Sequence, residues 1–194
     1  SAQFAIGDAF TTAQNNDDSL NITKPERITN VAALRLLDKT KINSAETNGY
    51  YTAGDGGHGE YWYDATDVVT ADNGITVIVG ADGARWKLLV ENKTINVLTA
   101  GIKGDSTTNN TTLFNTLTAL GFDIQMPDGG YKVTDRIQLV NGQKLQGSGR
   151  TASYFVIDTD FNLSATGVIR LGTSEPGAEI YDVGFQFNQA NQGV

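Results

Sequence analysis

The sequence predicts a mainly β chain in which a small α/β unit is followed by the helix-capped beginning of a β-solenoid. Glycine makes up 22 of 194 residues and proline only 3, and the glycine share of about 11% exceeds the usual ~7%. This composition favours turn-rich β structure over a disordered linker. The apolar spacing also changes within residues 101–150, from a helical period to short strands punctuated by glycine.

A short one-sided helix is predicted at the start of the second half of the chain. Its apolar face consists of Leu113, Phe114, Leu117 and Leu120. Any of Thr108, Asn109 and Asn110 can accept hydrogen bonds from its first turn, and Gly121 suits the left-handed position after its last turn. Because only one side is apolar, the helix must cover another surface. We predict that these four residues cap the open N-terminal end of the solenoid.

Short strands are predicted on both sides of several glycine-rich turns after this helix. Phe122, Ile124 and Met126 alternate with polar residues, which is typical of a half-buried strand. The later apolar positions fall in brief strands at Tyr131, Val133, Ile137, Leu139, Leu145, 155–157, 168–171 and 180–187. A solenoid needs about three stacked repeats to bury its core. Since this chain supplies about two, we expect the native protein to continue beyond Val194.

The first half of the chain divides into two parts. Residues 1–27 are polar and are predicted to form a stem or linker, and residues 28–92 a small α/β connecting domain. Thr29 or Asn30 can cap a helix whose apolar residues run from 31 to 37. Two aromatic strands are expected around a glycine loop within residues 48–64, and a second hairpin pairs 75–79 with 85–90. Residues 93–194 then form the cap and first rungs.

Four motifs in the second half resemble, in order and spacing, the opening of the pectate-lyase-like right-handed β-helix family. They are GIKGD (101–105), TNNT (108–111), PDGGY (127–131) and LQGSGR (145–150). The sequence departs from the family in having Asn109 and Asn110 where two aspartates are usual, which preserves the capping chemistry. The solenoid that this resemblance implies is a right-handed parallel β-helix.

A second resemblance covers the small domain. GYYTAGDGGHGEYWYDATD (49–67), followed by TVIV (76–79) and RWKLL (85–89), is similar to the domain that often precedes the β-helix in bacteriophage tailspikes and related depolymerases. Together the two resemblances cover residues 28–150. They imply the N-terminal portion of a tailspike, or receptor-binding protein, whose full-length form binds and degrades a bacterial surface polysaccharide.

The resemblance also implies partners and a location. The full-length protein is expected to be a homotrimer in the phage tail of the virion, in contact with other tail proteins and, outside the host cell, with the polysaccharide. It would act as a glycoside hydrolase or a polysaccharide lyase without a cofactor. Active carboxylates in such families usually lie further along the helix or between subunits, so this part alone is expected to be inactive. The alternatives are a non-enzymatic structural or adaptor module of the virion and a secreted bacterial polysaccharide lyase.

Carboxylates in the predicted rungs are the catalytic candidates, because glycosidases act through a pair of carboxyl groups. Rungs stack about 4.8 Å apart, so neighbouring rungs can bring two such groups together. The candidates are Asp158, Asp160 and Asp182, for which turn-forming or structural roles are the alternatives.

Aromatic residues in the small domain are the candidates for sugar binding. A period of two places Tyr61 and Tyr63 on one face of a strand and Trp62 on the other, and at least one face must belong to the core. Residues 54–59 superficially resemble a phosphate-binding glycine loop. That mechanism requires a following helix, whereas a strand is predicted here, so a tight turn is favoured. His58 is interpreted as an exposed loop residue rather than a metal ligand, and no metal site is predicted.

Charge and composition exclude several other functions. The net charge of −8 repels nucleic acids and anionic membrane surfaces. There are no cysteines, which excludes disulfides and thiol catalysis. No apolar run approaches the ~18 residues that indicate a membrane-spanning helix. We therefore expect neither a nucleic-acid partner nor membrane insertion.

Overall fold

A computed structural model of the chain describes residues 24–162, 167–171 and 177–188. Most of the stem predicted over residues 1–27 lies outside this range. The described part is mainly β, with an N-terminal sheet of mixed direction followed by three parallel sheets that stack as a β-helix. The predicted fold class is therefore confirmed.

The N-terminal sheet has five strands in the order β1-β2-β3-β5-β4. Its elements are β1 (Glu26–Ile28), α1 (Val31–Leu34), β2 (Ser44–Thr47), β3 (Gly59–Tyr63), β4 (Val77–Val79) and β5 (Arg85–Leu88). β1 pairs with β2 in parallel, and the remaining pairs are antiparallel. β1 straddles the boundary predicted between the stem and the small domain.

Helix α1 begins as predicted and ends earlier. The Asn30 side chain accepts a hydrogen bond from the Ala33 N–H at 2.9 Å and so caps the first turn. The helix ends at Leu34, because the Arg35 carbonyl accepts from the Ala81 N–H at 2.7 Å and the Arg35 guanidinium binds Asp72. Leu36, one of the apolar residues predicted for this helix, lies beyond its end and is 78% exposed.

The first predicted hairpin is displaced along the sequence. Its N-terminal strand is β2, which precedes the two tyrosines, so Tyr50 and Tyr51 lie in the loop between β2 and β3. Neither is in a strand, because their backbone N–H groups donate to the Asp55 carboxylate instead of to a ladder partner. The second hairpin, β4 with β5, forms as predicted, and Trp86 is fully buried within it.

The solenoid is built from one helix and nine short strands within the described residues. These are α2 (Thr111–Ala119), β6 (Thr94–Asn96), β7 (Asp123–Met126), β8 (Gly129–Val133), β9 (Ile137–Gln138), β10 (Lys144–Gly147), β11 (Ser153–Ile157), β12 (Ile169–Arg170), β13 (Glu179–Tyr181) and β14 (Gly184–Phe187). They form three sheets, β6-β7-β10-β13, β8-β11-β14 and β9-β12, and every pair is parallel.

Side chains of similar type stack above one another inside the solenoid. One interior row runs Ile95, Ile124, Leu145 and Ile180 across the first sheet. A second row is aromatic and runs from the buried Tyr131 and Phe155 to Phe185, which is 43% exposed on the last described strand. The rings of Phe155 and Phe185 are stacked with their centroids 5.8 Å apart. Such in-register rows bury apolar surface that no single rung could bury alone.

The strand predicted over residues 180–187 is two strands, β13 and β14. The chain turns a corner at Asp182, which has a φ of 52°. Aspartate is among the few residues that tolerate this left-handed conformation. The Asp182 carbonyl accepts from the Gly149 N–H at 3.2 Å, so this corner rests on the corner of the preceding rung.

Two hydrophobic cores are present in the described residues. The smaller core lies under the N-terminal sheet and contains Leu34, Tyr61 and Trp86 among others. The larger core fills the solenoid and includes Phe114 and Leu117 of α2. Leu88 packs against both.

Candidate functional site

The glycine loop (48–58) is organised by one carboxylate. Asp55 accepts hydrogen bonds from the N–H groups of Tyr50, Tyr51, Thr52 and Gly57, at 2.8–3.0 Å. Although partial burial opposes ionisation, these N–H groups lower the pKa of Asp55. As the sequence predicts, the loop leads into strand β3, which argues against phosphate binding at a helix N terminus.

This loop holds the N-terminal sheet against the solenoid. The Tyr51 hydroxyl donates to the Gly101 carbonyl at 2.8 Å, and the Thr99 hydroxyl donates to the His58 carbonyl at 2.9 Å. The Lys103 ammonium lies 4.3 Å from the centroid of the Tyr51 ring, within cation–π range. The His58 side chain is exposed, and the described residues contain no group of three potential His, Cys, Asp or Glu metal ligands.

Helix α2 places two of the four predicted cap residues fully inside the solenoid core. Phe114 and Leu117 are 0% exposed, and Leu113 and Leu120 pack against the core while partly exposed. The Phe114 ring lies beside the first two rings of the aromatic row, with centroid distances of 6.1 Å to Tyr131 and 5.2 Å to Phe155. The apolar face of the helix thus packs into the solenoid core beside the first two rungs.

Polar side chains of α2 pair with the exposed edge of β9. Asn115 donates to the Arg136 carbonyl and accepts from the Gln138 N–H, both at 3.0 Å, as a neighbouring strand would. An edge occupied in this way is unavailable for pairing with another chain. At the N terminus of α2, Asn109 is the residue that accepts from the Thr111 N–H, at 3.0 Å. Asn110 is instead buried, and its side chain bonds the backbone of Lys103.

The catalytic candidates fall in two places. Asp158 and Asp160 follow β11, and both approach the Lys132 ammonium, at 3.4 and 3.0 Å. The hydrogen bond and charge of Asp160, with a smaller contribution from Asp158, raise the pKa of Lys132. Asp182 occupies the corner between β13 and β14 and is not part of this cluster. The structure therefore brings together the first two candidates, as an ion-pair cluster around one lysine.

The three aromatic candidates have different environments. Tyr61 is fully buried in the smaller core, and burial raises the pKa of its hydroxyl. A glycan could not reach this ring. Tyr63 is half-buried, with its ring 5.9 Å from that of Trp86. Trp62 points to the opposite face of β3 and is 46% exposed, so it is the accessible ring of the three.

A cleft between the N-terminal sheet and the first solenoid strands was not foreseen from the sequence. Its volume is about 630 Å³, within the range of small-ligand sites. Carboxylates of Glu46, Glu60 and Glu91 line one side, and Asn96 and Gln125 line the solenoid side. Glu46 and Glu60 are direct cross-strand neighbours, and Glu46 is paired with Arg27 at 3.2 Å. These residues come from four separate segments, so no motif could have shown their proximity.

The N-terminal sheet is similar to a known family of domains. Residues 27–91 match the family described as the phage tail protein small four-stranded β-sheet domain. The match spans β2 to β5 and most of β1, the strand that extends the sheet to five. None of the helices in the described residues has the length and apolar composition needed to cross a membrane.

Solved structures of phage tailspikes are similar to the chain over both regions. The tailspike protein gp49 of Acinetobacter baumannii bacteriophage Fri1, a capsular polysaccharide depolymerase, is 26% identical over 63% of this chain and 23% of its own, with a TM-score of 0.54. The tailspike of Acinetobacter baumannii phage AM24 is 17% identical over 82% of this chain and 28% of its own, with a TM-score of 0.66.

Full-length tailspike protein 2 of Escherichia coli O157:H7 bacteriophage CAB120 is also similar. It is 24% identical over 96% of this chain and 24% of its own, with a TM-score of 0.60. The chain thus spans roughly a quarter of the length of each of these tailspikes. The comparisons support the fold of a phage tailspike N-terminal portion.

Proposed function

We propose that this chain is the N-terminal part of a phage tailspike whose full-length form binds and degrades a bacterial surface polysaccharide. The observation that carries the proposal is the order of two regions in one chain. A sheet that matches the phage tail small β-sheet domain is followed directly by a parallel β-helix with a helix in its first rungs, and tailspike structures are similar over 63–96% of the chain. The depolymerase activity named for the Fri1 protein supports the activity proposed for the parent.

Within that protein, residues 28–92 would connect the β-helix to the rest of the virion, after a stem at 1–27. Residues 93–194 would begin the shaft. Two observations support this division: the two hydrophobic cores, and the hydrogen bonds from Tyr51 and Thr99 that hold them together. Helix α2 would act as the cap of the shaft, with Phe114 and Leu117 excluding water from its first rung.

The proposed location is the phage tail, with the polysaccharide met outside the host cell. Other tail proteins and two further copies of the same chain would be the partners. Degradation would be hydrolysis or β-elimination, by groups outside this portion. The Lys132 cluster supports that placement, because Asp158 and Asp160 are both engaged with one ammonium group. Asp182 serves as a corner residue.

The proposal is tested on the intact parent protein with purified capsular polysaccharide. Reducing ends would report hydrolysis, and the ultraviolet absorbance of unsaturated sugars would report elimination. One of the two signals should rise with the parent and neither with residues 1–194. Binding without either signal would favour the non-enzymatic adaptor, and depolymerisation by residues 1–194 alone would contradict the placement of the active site.

A further inference from the structure

A row of polar side chains crosses the outer face of the first solenoid sheet. It consists of Asn96, Gln125, Gln146 and Tyr181, on β6, β7, β10 and β13, and we call it the amide track. The four residues are in register, since Asn96 pairs with Gln125, Gln125 with Gln146, and Gln146 with Tyr181. Neighbouring strands lie about 4.8 Å apart, so the track is about 14 Å long.

Two amide side chains of the track are fully available to a ligand, whereas Asn96 is half-buried and its side-chain oxygen accepts from the Leu98 N–H at 2.9 Å. Gln125 and Gln146 are exposed, and neither side chain makes a hydrogen bond with another residue that the structure describes. Each amide offers two donors and one acceptor oxygen. Tyr181 ends the row with 45% of its surface exposed, and its hydroxyl donates to Glu179 at 2.7 Å. The row is thus a flat series of amides with an aromatic ring at one end.

The other end of the track opens into the cleft. Asn96 and Gln125 line both features, so the cleft of about 630 Å³ and the amide track form one continuous surface. On the far wall, Glu60 is exposed. The flanking Lys144 is paired with Glu179 at 3.6 Å and Glu46 with Arg27 at 3.2 Å. Glu60 and Glu91 are therefore the carboxylates of this surface that have no ion pair among the described residues.

The chemistry of this surface selects a class of ligand. An amide group can donate a hydrogen bond to one hydroxyl of a sugar and accept one from the neighbouring hydroxyl. The face of an exposed tyrosine can contact the C–H face of a sugar ring. Carboxylates at the cleft and the net charge of −8 repel anionic sugars. We infer that the amide track and the cleft bind a stretch of neutral polysaccharide about three sugar units long, apart from the active site of the parent. This inference rests on the proposed function and specifies the substrate as uncharged.

The test begins with residues 1–194 on an array of bacterial capsular oligosaccharides, sorted into neutral and uronate-containing members. Binding to neutral members is expected. For the tightest neutral oligosaccharide, isothermal titration should show that Gln125→Ala with Gln146→Ala lowers affinity about 10-fold or more, because each lost hydrogen bond weakens binding several-fold. Gln186→Ala is the matched control, an exposed strand glutamine on the third strand of a different sheet. It should bind as the unaltered chain does.

Several results would overturn the inference: no binding on the array, binding only to uronate-containing members, or equal affinities for the double variant and Gln186→Ala. The alternative is that this surface is a contact between subunits, which sedimentation tests by measuring self-association. If the double variant loses self-association and keeps its glycan affinity, the amide track is a subunit contact. The depolymerisation assay on the intact parent is independent of these results. If the intact parent degrades capsule and the double variant still binds it, the amide track is not the binding site. The proposed function of the parent would be supported all the same.

Discussion

The N-terminal sheet and the solenoid bury similar kinds of side chains in different ways. In the sheet, strands from across the unit enclose one compact core around Tyr61 and Trp86. Two polar atoms of that core, the Tyr61 hydroxyl and the Trp86 Nε1, have no hydrogen-bond partner among the described residues. In the solenoid, interior side chains stack on side chains of similar type in the rung before, as Leu145 does on Ile124 and Phe155 on Tyr131.

The difference teaches where each region is vulnerable. A compact core depends on its own strands, whereas a stacked core depends on its nearest neighbours and on what covers its ends. Both tryptophans of the chain, Trp62 and Trp86, lie in the N-terminal sheet. Tryptophan fluorescence therefore reports on the sheet and far-ultraviolet circular dichroism on the whole chain, so the two regions can be followed separately.

The largest effect is expected from a charge in the capping helix. Phe114→Asp or Leu117→Asp should remove a fully buried apolar side chain and place a carboxylate in its position. The loss of the ring alone costs about 3–5 kcal/mol, and burial of the charge adds to this. We expect aggregation or an unfolded solenoid, measured by soluble yield and circular dichroism.

The matched control is Thr112→Asp, an exposed position in the first turn of the same helix. A negative charge there interacts favourably with the helix dipole, so stability should be unchanged or slightly higher. A soluble, folded chain carrying both Phe114→Asp and Leu117→Asp would contradict the cap.

A smaller effect is expected from cavities placed in each region in turn. Leu145 is fully buried in the middle of the aliphatic row, and Ile78 is fully buried under the sheet. Each change to alanine should cost about 2–5 kcal/mol. Leu145→Ala should shift the circular dichroism transition more than the fluorescence transition in urea, and Ile78→Ala should do the reverse. Equal shifts of both signals by both variants would mean that the two regions unfold as one unit.

The elements predicted most accurately are those that local chemistry determines. Asn30 caps α1 as an N-cap asparagine should, and Gly121 follows α2 with a φ of 74°, which a residue with a Cβ disfavours. The alternation of Ile124 and Met126 is a local pattern as well, and both side chains are buried as it requires.

The elements that the sequence did not reveal depend on partners distant in the chain. β2 (Ser44–Thr47) and β6 (Thr94–Asn96) have little apolar alternation, and they are strands because β3 and β7 supply hydrogen-bond partners. The aromatic character of Tyr50 and Tyr51 suggested a strand, but Asp55 binds their N–H groups in a loop. The cleft and the amide track depend on strand register, which no local pattern encodes.

Coupling between the two regions can be weakened through one hydroxyl. Tyr51→Phe removes the hydrogen bond to the Gly101 carbonyl and should cost about 1 kcal/mol. Because that bond joins the sheet to the solenoid, the fluorescence and circular dichroism transitions should move apart. Tyr50→Phe is the matched control, since its hydroxyl donates to Gly74, next to the β4 hairpin, at 2.7 Å. It should lower the fluorescence midpoint without separating the transitions, and identical behaviour of the two variants would argue against Tyr51 as the coupling residue.

The smallest effect is expected in the stability of the chain at low pH, through a carboxylate in the turn before the capping helix. Asp105 lies at the start of the second region, and although partial burial opposes its ionisation, hydrogen bonds from Thr108 and Thr107 lower its pKa to about 2. The unfolded value is about 3.9. A lowered folded pKa means that the stability contributed by Asp105 is fully present above about pH 4 and is lost as the pH falls through about 2.

Asp105→Asn should therefore be less stable than the unaltered chain at pH 6, and the difference between their circular dichroism midpoints should shrink between pH 4 and pH 2. Other aspartates with lowered pKa values, such as Asp55 and Asp72, contribute equally to both chains, so the difference isolates Asp105. The exposed Asp128→Asn serves as the control, because it removes one carboxylate that accepts no hydrogen bond from the residues that the structure describes. A loss of stability at pH 6 as large as that of Asp105→Asn would contradict the role of the Asp105 turn. If the difference between the two midpoints stayed constant from pH 6 to pH 2, Asp105 would stabilise the turn through its hydrogen bonds and not through its charge.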